Sequence, residues 1–474
     1  MTAAEPSELR SRVRFRLSRA AGAFVKYPAR VIVAGYLAVI LFGTFLLSLP
    51  AATAGSGRAT FVEALFTATS AACITGLVVV DTGSFWSPFG HWVIVGLFQL
   101  GGLGIMTVAS LLGLLVARRM GMRMQLIAHT EQKNLRLGEI SRVVAGVIRM
   151  SLIIEFITAI FLVTRYYIAY ADSFGEAAYW GIFHAISAFN SAGFALQSDS
   201  MMQYVGDPLI LFPVIIAFTL GAIGFPVIFE VSRHFRQQVR EARGAEHTAR
   251  HWTIHTKVTV LTHSLLGVIG IASVIMFEWA NPSTMGPLST LQKLMAGAVQ
   301  GLTPRSSGFN TIETGEMNAA TVLITDVLMF IGGGSAGTAG GIKVTTFALL
   351  GFVILAELRG QPTVHVMGRK LADAVQRQAL TVALLSIAAV MGGTIIISTF
   401  SEHPLDHVLF EVISAFCTVG LSMGITEDLR PLAQLILVVL MFAGRIGPII
   451  LASALALQER PRRYELPEER PIVG

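Results

Sequence analysis

Four stretches of the chain end in comparable text: TSAACITGL from Thr69, ISAFNSAGF from Ile186, GLTPRSSGF from Gly301 and ISAFCTVGL from Ile413. Each closes on a glycine followed by Leu or Phe. These glycines, Gly76, Gly193, Gly308 and Gly420, recur about every 115 residues. One such small-residue loop is unremarkable between membrane helices. Four at even spacing imply a single structural unit used four times, and the fold must accommodate that repetition.

The units lie in strongly apolar sequence. Of 474 residues, 53% are hydrophobic and 14% charged, outside the range of a soluble globular chain. Runs long enough for a spanning helix recur, among them Val31 to Pro50, His91 to Ala117 and Val143 to Tyr170. They are too many and too long for a cleaved signal peptide with a soluble remainder. The formal charge of +6 does not point to nucleic acid, because Arg and Lys gather in short segments between apolar runs. Five such segments, Arg10 to Arg30, Arg118 to Arg142, Arg233 to Lys257, Arg359 to Arg377 and Arg460 to Arg470, are assigned to the cytoplasm by the positive-inside rule. Each unit between them must then leave and re-enter the membrane, which gives two spanning helices per unit, eight in all, and both termini in the cytoplasm.

The expected organisation is a cytoplasmic N-terminus (1–30), units over 31–120, 143–235, 257–358 and 377–458, linkers over 121–142, 236–256 and 359–376, and a cytoplasmic C-terminus (459–474). The outer connections are too long for simple turns. In the first unit, Thr60 to Ala71 is apolar but too short to span, so it reads as a re-entrant half-helix. Irregular backbone after it is tolerated at membrane depth only where it is buried in protein or lines a water-filled cavity. The fold class expected is therefore an all-α polytopic membrane protein of four helix, pore-loop, helix units around one pore. A dehydrated alkali cation needs several partly negative oxygens without a full charge, which backbone carbonyls supply, and glycine admits the positive φ that aims them inward. Half-helix C-termini directed at the pore favour cations.

In these features the chain resembles the Trk/Ktr/HKT superfamily of potassium transporters from about Val31 to Gln458, with Ser306 to Thr311 especially close to the family's third loop. The lack of a further helix pair before the first unit resembles the Ktr-type membrane subunit. The resemblance implies potassium uptake through a selectivity filter formed by Cys73, Ile74, Thr75 and Gly76; Asn190, Ser191, Ala192 and Gly193; Arg305, Ser306, Ser307 and Gly308; and Cys417, Thr418, Val419 and Gly420. K+ would be held by the backbone carbonyls of Thr75, Ala192, Ser307 and Val419. It also implies a homodimer in the plasma membrane on a ring of RCK-type nucleotide-binding subunits, with ATP or ADP acting on that partner only, and Na+ as a second ion known in the family.

The run from Ile331 to Gly341 is too rich in glycine for a continuous helix, each glycine costing about 1 kcal/mol. It is expected to be a flexible intramembrane loop. The family's corresponding loop is a gate, a role carried over to Gly332, Gly333, Gly334, Ser335, Gly337, Gly340 and Gly341, with Lys343 beside them able to bond loop carbonyls or to snorkel. Arg445 lies in the last apolar run, where an arginine is costly. It is expected either as a positive barrier beneath the filter, as the resemblance implies, or paired with Asp326 or Glu155. Arg305 is expected to brace the third loop against Glu313. His184, Glu63 and Glu411 lie on or beside half-helices, where either acid could charge an outer vestibule or simply cap and brace. Cys73 and Cys417 are expected as free thiols. His234, His247, His251 and His255 read as a solvated basic linker before a metal site. No group of acids, bases or metal ligands suggests an enzyme, and an alternating-access carrier fits poorly because every unit begins and ends on the same side.

Overall fold

The computed structural model describes residues 28–55, 57–104, 137–243, 252–305 and 307–447. Four helices of 13 to 17 residues organise it: α2 (Phe61–Cys73), α5 (Phe174–Asn190), α9 (Thr290–Leu302) and α13 (Leu405–Cys417). Each follows and packs on a longer apolar helix: α1 (Pro28–Leu47), α4 (Leu137–Ala169), α8 (Ile254–Glu278) and α12 (Asp373–Phe400). Capping fixes where the short helices begin. Thr60 and Glu63 form a reciprocal capping box at α2, Ser289 and Gln292 one at α9, and the Ser173 hydroxyl accepts from Glu176 N at α5. The first half-helix thus runs two residues beyond the expected Thr60 to Ala71, with Thr60 as its cap.

Behind each short helix comes a second apolar segment: α3 (88–104), α6 (Pro208–Ile223), α10 (Ala319–Phe330) and α14 (Pro431–Ile446). α6 packs on α9, α10 on α13, and α14 on α2, so the fourth segment returns to the first and the arrangement closes around an axis. The sequence predicts one interruption among these helices, and among the described residues there are two. α10 is separated from α11 (Val344–Leu358) by the glycine run, as expected. α6 also breaks, at Gly224, and α7 (Phe225–Ala242) leaves at 107° to it. Gly224 has φ +98, and Pro226 in the first turn of α7 cannot bond back into α6. The expected second segment of that unit is therefore a bent pair, with α7 running through the start of the linker placed at 236–256.

Among the described residues, three helices are by length and composition able to cross a membrane: Arg142–Ala169, Ile254–Glu278 and Asp373–Phe400. The bent pair counts as a fourth if taken as one span, and shorter apolar helices complete the set. Large side chains left outside, such as Phe42, Phe156, Ile168, Leu265 and Ile395, suit a lipid-facing surface. α4 begins at Leu137, six residues inside the linker placed at 121–142. The linker placed at 359–376 holds a small departure from an all-α fold, the antiparallel pair β1 (His365–Val366) and β2 (Arg369–Lys370).

Candidate functional site

Three of the four short helices end alike. Ile74, Ser191 and Thr418 follow them in the left-handed region at φ 57, 57 and 49, turning the chain sharply at the helix C-terminus. The next amide reaches back to a serine carbonyl in each: Thr75 to Ser70 at 2.7 Å, Ala192 to Ser187 at 2.8 Å and Val419 to Ser414 at 2.9 Å. In the first and fourth loops that serine's hydroxyl also accepts from the glycine amide, at 3.1 Å in both, whereas Ser187 Oγ donates to Phe194 O. These serines precede their glycines by six residues and stand at matching places in the repeated text, a signal the sequence carried but which the loops' glycines overshadowed. The third loop departs from the pattern: α9 runs into a single 3-10 turn, Thr303–Arg305, and Ser306 lies outside the described residues.

The turns bring the four glycines together. Gly76, Gly193, Gly308 and Gly420 all have positive φ, at 87, 72, 68 and 95. A methyl group on Gly76 would lie 2.5 Å from Ala192 O; on Gly193, 2.8 Å from Ser307 O; on Gly308, 2.7 Å from Val419 O; on Gly420, 2.1 Å from Thr75 O. Each glycine thus abuts the carbonyl preceding the next, in a closed cycle. Thr75, Ala192, Ser307 and Val419, the residues whose carbonyls the family resemblance implies as K+ ligands, are the four residues of that cycle. The hydroxyls of Thr75 and Thr418 are buried and have no hydrogen-bond partner. On one side the ring opens into a cavity of about 390 Å³ lined by all four glycines and by Asp81, Asp199, Glu313 and Glu427, one carboxylate following each glycine by five to seven residues. Of the two roles the sequence leaves open for Glu63 and Glu411, charging a vestibule or capping and bracing, both take the second. Glu63 serves the α2 capping box. Glu411 is buried, accepting from Met423 N at 2.9 Å and from the hydroxyls of Ser422 and Thr426. His184 is likewise a brace, held by Trp180 O at 2.9 Å and receiving Leu196 N.

Beneath the ring lies the glycine-rich segment. Thr338, fully buried, bonds Ser191 of the second loop at 2.8 Å through its hydroxyl and Gly221 O at 3.1 Å through its amide. A methyl group on Gly340 would meet Cys417 O at 2.4 Å, and one on Gly334 would meet Ile223 O at 1.9 Å. The segment is therefore wedged between the underside of the second and fourth loops and the break in α6, where Phe225 N also donates to Ala336 O. Ser335 shares a hydrogen bond with Thr345, and methyl groups on Gly332, Gly333 or Gly337 would meet backbone oxygens within 2.6 Å. Gly341, at φ 66, sits against the Cys417 side chain. Lys343 donates to Ala339 O and, at 3.4 Å, to Gly340 O, taking the loop-bonding alternative.

Arg445 is buried and joins three elements, donating to Thr338 O and, at 3.2 Å, to Gly101 O of α3, which also accepts from Tyr36 of α1. It pairs with neither Asp326 nor Glu155; Glu155 instead accepts from Ser151, Gln99 and Asn190. The Asn190 side chain is thereby tied to Gln99 of α3 and Glu155 of α4. The expected brace between Arg305 and Glu313 is also absent. Arg305 follows a helical turn that points it at α8, where it bonds His263 through its backbone oxygen and Nδ1, while Glu313 lines the cavity at the ring. Cys73 and Cys417 are the last residues of their helices, free and buried. Of the histidines grouped in the sequence, His247 and His251 lie outside the described residues, and no cluster able to hold a metal occurs among the described ones.

The TrkH family profile, described as a cation transport protein, matches residues 26–461. The chain is 37% identical to the Ktr system potassium uptake protein B of Bacillus subtilis, over 91% of this chain and 94% of that one. It is 36% identical to the protein of the same name from Vibrio alginolyticus, over 94% of each. The fold matches the crystal structure of the potassium transporter TrkH from Vibrio parahaemolyticus with a TM-score of 0.66 at 19% identity, covering 90% of this chain and 85% of that one. With its apolar helices and this match over nearly its whole length, the chain is a multi-pass membrane protein that belongs to the TrkH family of cation transport proteins.

Proposed function

We propose that this chain takes up potassium through a channel-like pore, with the loops at Gly76, Gly193, Gly308 and Gly420 as its selectivity filter. The observation that carries the reading is the closed cycle of four positive-φ glycines, each against the carbonyl that precedes the next. In such a cycle the carbonyls of Thr75, Ala192, Ser307 and Val419 replace the hydration shell of a K+ ion, and the unpartnered Thr75 and Thr418 hydroxyls offer further oxygens. The half-helices supply partial negative charge from their C-termini. Four units around one pore, eight crossings and cytoplasmic termini follow from the repeated text and the basic stretches. The segment Gly332 to Gly341 gates the pore from below, with Lys343 and Arg445 as the positive barrier. Two copies assemble on a separate cytoplasmic nucleotide-binding ring that responds to ATP or ADP, in line with relatives named as components of a system.

Growth of an uptake-deficient bacterium on limiting potassium tests the proposal. The wild-type chain with its partner should restore growth, the chain alone should do so less well, and Gly76→Ser and Gly308→Ser should lose discrimination against sodium. Failure of the wild-type pair to restore growth refutes potassium uptake.

A further inference from the structure

Five carboxylates are buried among the described residues: Glu155, Asp207, Glu278, Asp326 and Glu411. Four have a full set of partners. Glu155 and Glu411 are held as described above, Asp207 accepts from Arg165 and Tyr170, and Glu278 accepts from Thr284, Asn281, Thr321 and Asn318 N. Asp326 is the exception. It is 6% exposed, makes no hydrogen bond or ion pair, and its Oδ1 is wholly enclosed. An unpartnered carboxylate at membrane depth is costly and marks a functional position.

Asp326 lines a second cavity, of about 420 Å³, between α10, α11, α12 and α13. Every other lining side chain is apolar. Leu323, Val327, Ile387 and Met391 at its walls are each about half exposed, at 63, 53, 47 and 49%, so the cavity opens on the apolar surface of these helices, and it shares no lining residue with the cavity at the ring of glycines. Its volume falls within the usual range for small-molecule sites. Phe330, Ile331 and Ile342, at the two ends of the glycine-rich segment, form part of its lining.

We infer that this cavity is a membrane-facing site for an amphiphilic ammonium ion, whose apolar tail fills the pocket while its charged head pairs with Asp326. Charge complementarity selects the occupant: a neutral lipid tail would leave the one buried carboxylate unanswered, and an inorganic cation would find a single ligand among hydrocarbon. Because the occupant would touch both ends of the segment beneath the pore, it would restrain that segment. This last consequence rests on the gating role proposed above, whereas the binding itself does not.

The test is equilibrium binding of radiolabelled octyltrimethylammonium to the full-length chain in lipid nanodiscs, with rubidium flux measured in parallel in vesicles. Saturable binding at one site per chain is expected, weakened about tenfold or more by Asp326→Asn, abolished by Met391→Trp, and resistant to octanol, which has the tail without the charge. Saturating ligand should alter wild-type flux and leave Asp326→Asn flux unchanged. The site is overturned by an absence of saturable binding, by binding that Asp326→Asn leaves within twofold, or by equal competition from octanol, which would make the cavity a recess for lipid tails. It is also overturned if Met391→Trp converts a dimer to a monomer, which would give this face to a second copy. Binding as expected in a chain without flux counts against the channel reading alone.

Discussion

At the scale of single residues, the two kinds of group that matter most here are glycines that cannot carry a side chain and arginines that cannot be left alone. Gly420 has the tightest approach in the ring, 2.1 Å from a would-be methyl to Thr75 O at φ +95. Gly420→Ala must therefore displace the first loop as well as strain its own, at about 1–3 kcal/mol for the backbone alone. Sodium competition against rubidium uptake should become stronger in this variant, with the helical fold intact by circular dichroism; unchanged competition would remove the glycine cycle from selectivity. Arg445 combines a charge with two tethers, and two substitutions separate them. Arg445→Met loses both and should raise flux several-fold. Arg445→Lys keeps the charge but cannot reach Thr338 O and Gly101 O together as the guanidinium does, so it should give intermediate flux. A lysine variant as conductive as the methionine one would make Arg445 a tether alone.

At the scale of elements, what the sequence reveals and what it hides have a common cause. The half-helices were legible because they are local: a capping residue, an apolar run too short to span, and a terminal small-residue turn are all written in consecutive residues, as in TFVEALFTATSA. The glycine run after Phe330 was legible for the same reason. The break at Gly224 was not, because hydrophobicity continues across it in AIGFPVIF and its cause is partly distant: the segment over 331–343 fills the place where a straight helix would continue, with Ser335 O 2.4 Å from a methyl on Gly224. The partners of Arg305 and Arg445 were hidden likewise, since carbonyls of other elements leave no mark on the sequence as a nearby acid does. The two interruptions therefore depend on one another. Gly224→Ala should unseat the glycine-rich segment, lowering the unfolding temperature and raising flux together; a loss of stability without a change in flux would make the contact a packing feature only.

At the scale of the whole molecule, charge is ordered along the axis of the ring. Asp81, Asp199, Glu313 and Glu427 line the cavity on one side of the ring, the C-termini of the half-helices face the centre, and Lys343 and Arg445 lie on the other side, both bonded to carbonyls of the glycine-rich segment. On the channel reading proposed above, a cation entering from the carboxylate-lined side would meet attraction first, then neutral oxygens, then the positive groups at the glycine-rich segment. One acid comes from each unit, so their contribution is a property of the assembled ring. Their carboxylates are exposed or half-exposed, and mobile ions screen such charges over about 10 Å at 0.1 M salt. Neutralising all four, as Asp81→Asn, Asp199→Asn, Glu313→Gln and Glu427→Gln together, should raise the potassium concentration for half-maximal uptake several-fold at low ionic strength while leaving the maximal rate nearly unchanged. The difference should shrink when impermeant salt is added, because the acids concentrate the ion at the mouth without taking part in its dehydration. A shift that persists at high salt would mean that the carboxylates touch the ion, and a fall in maximal rate would place them within the filter's own energetics.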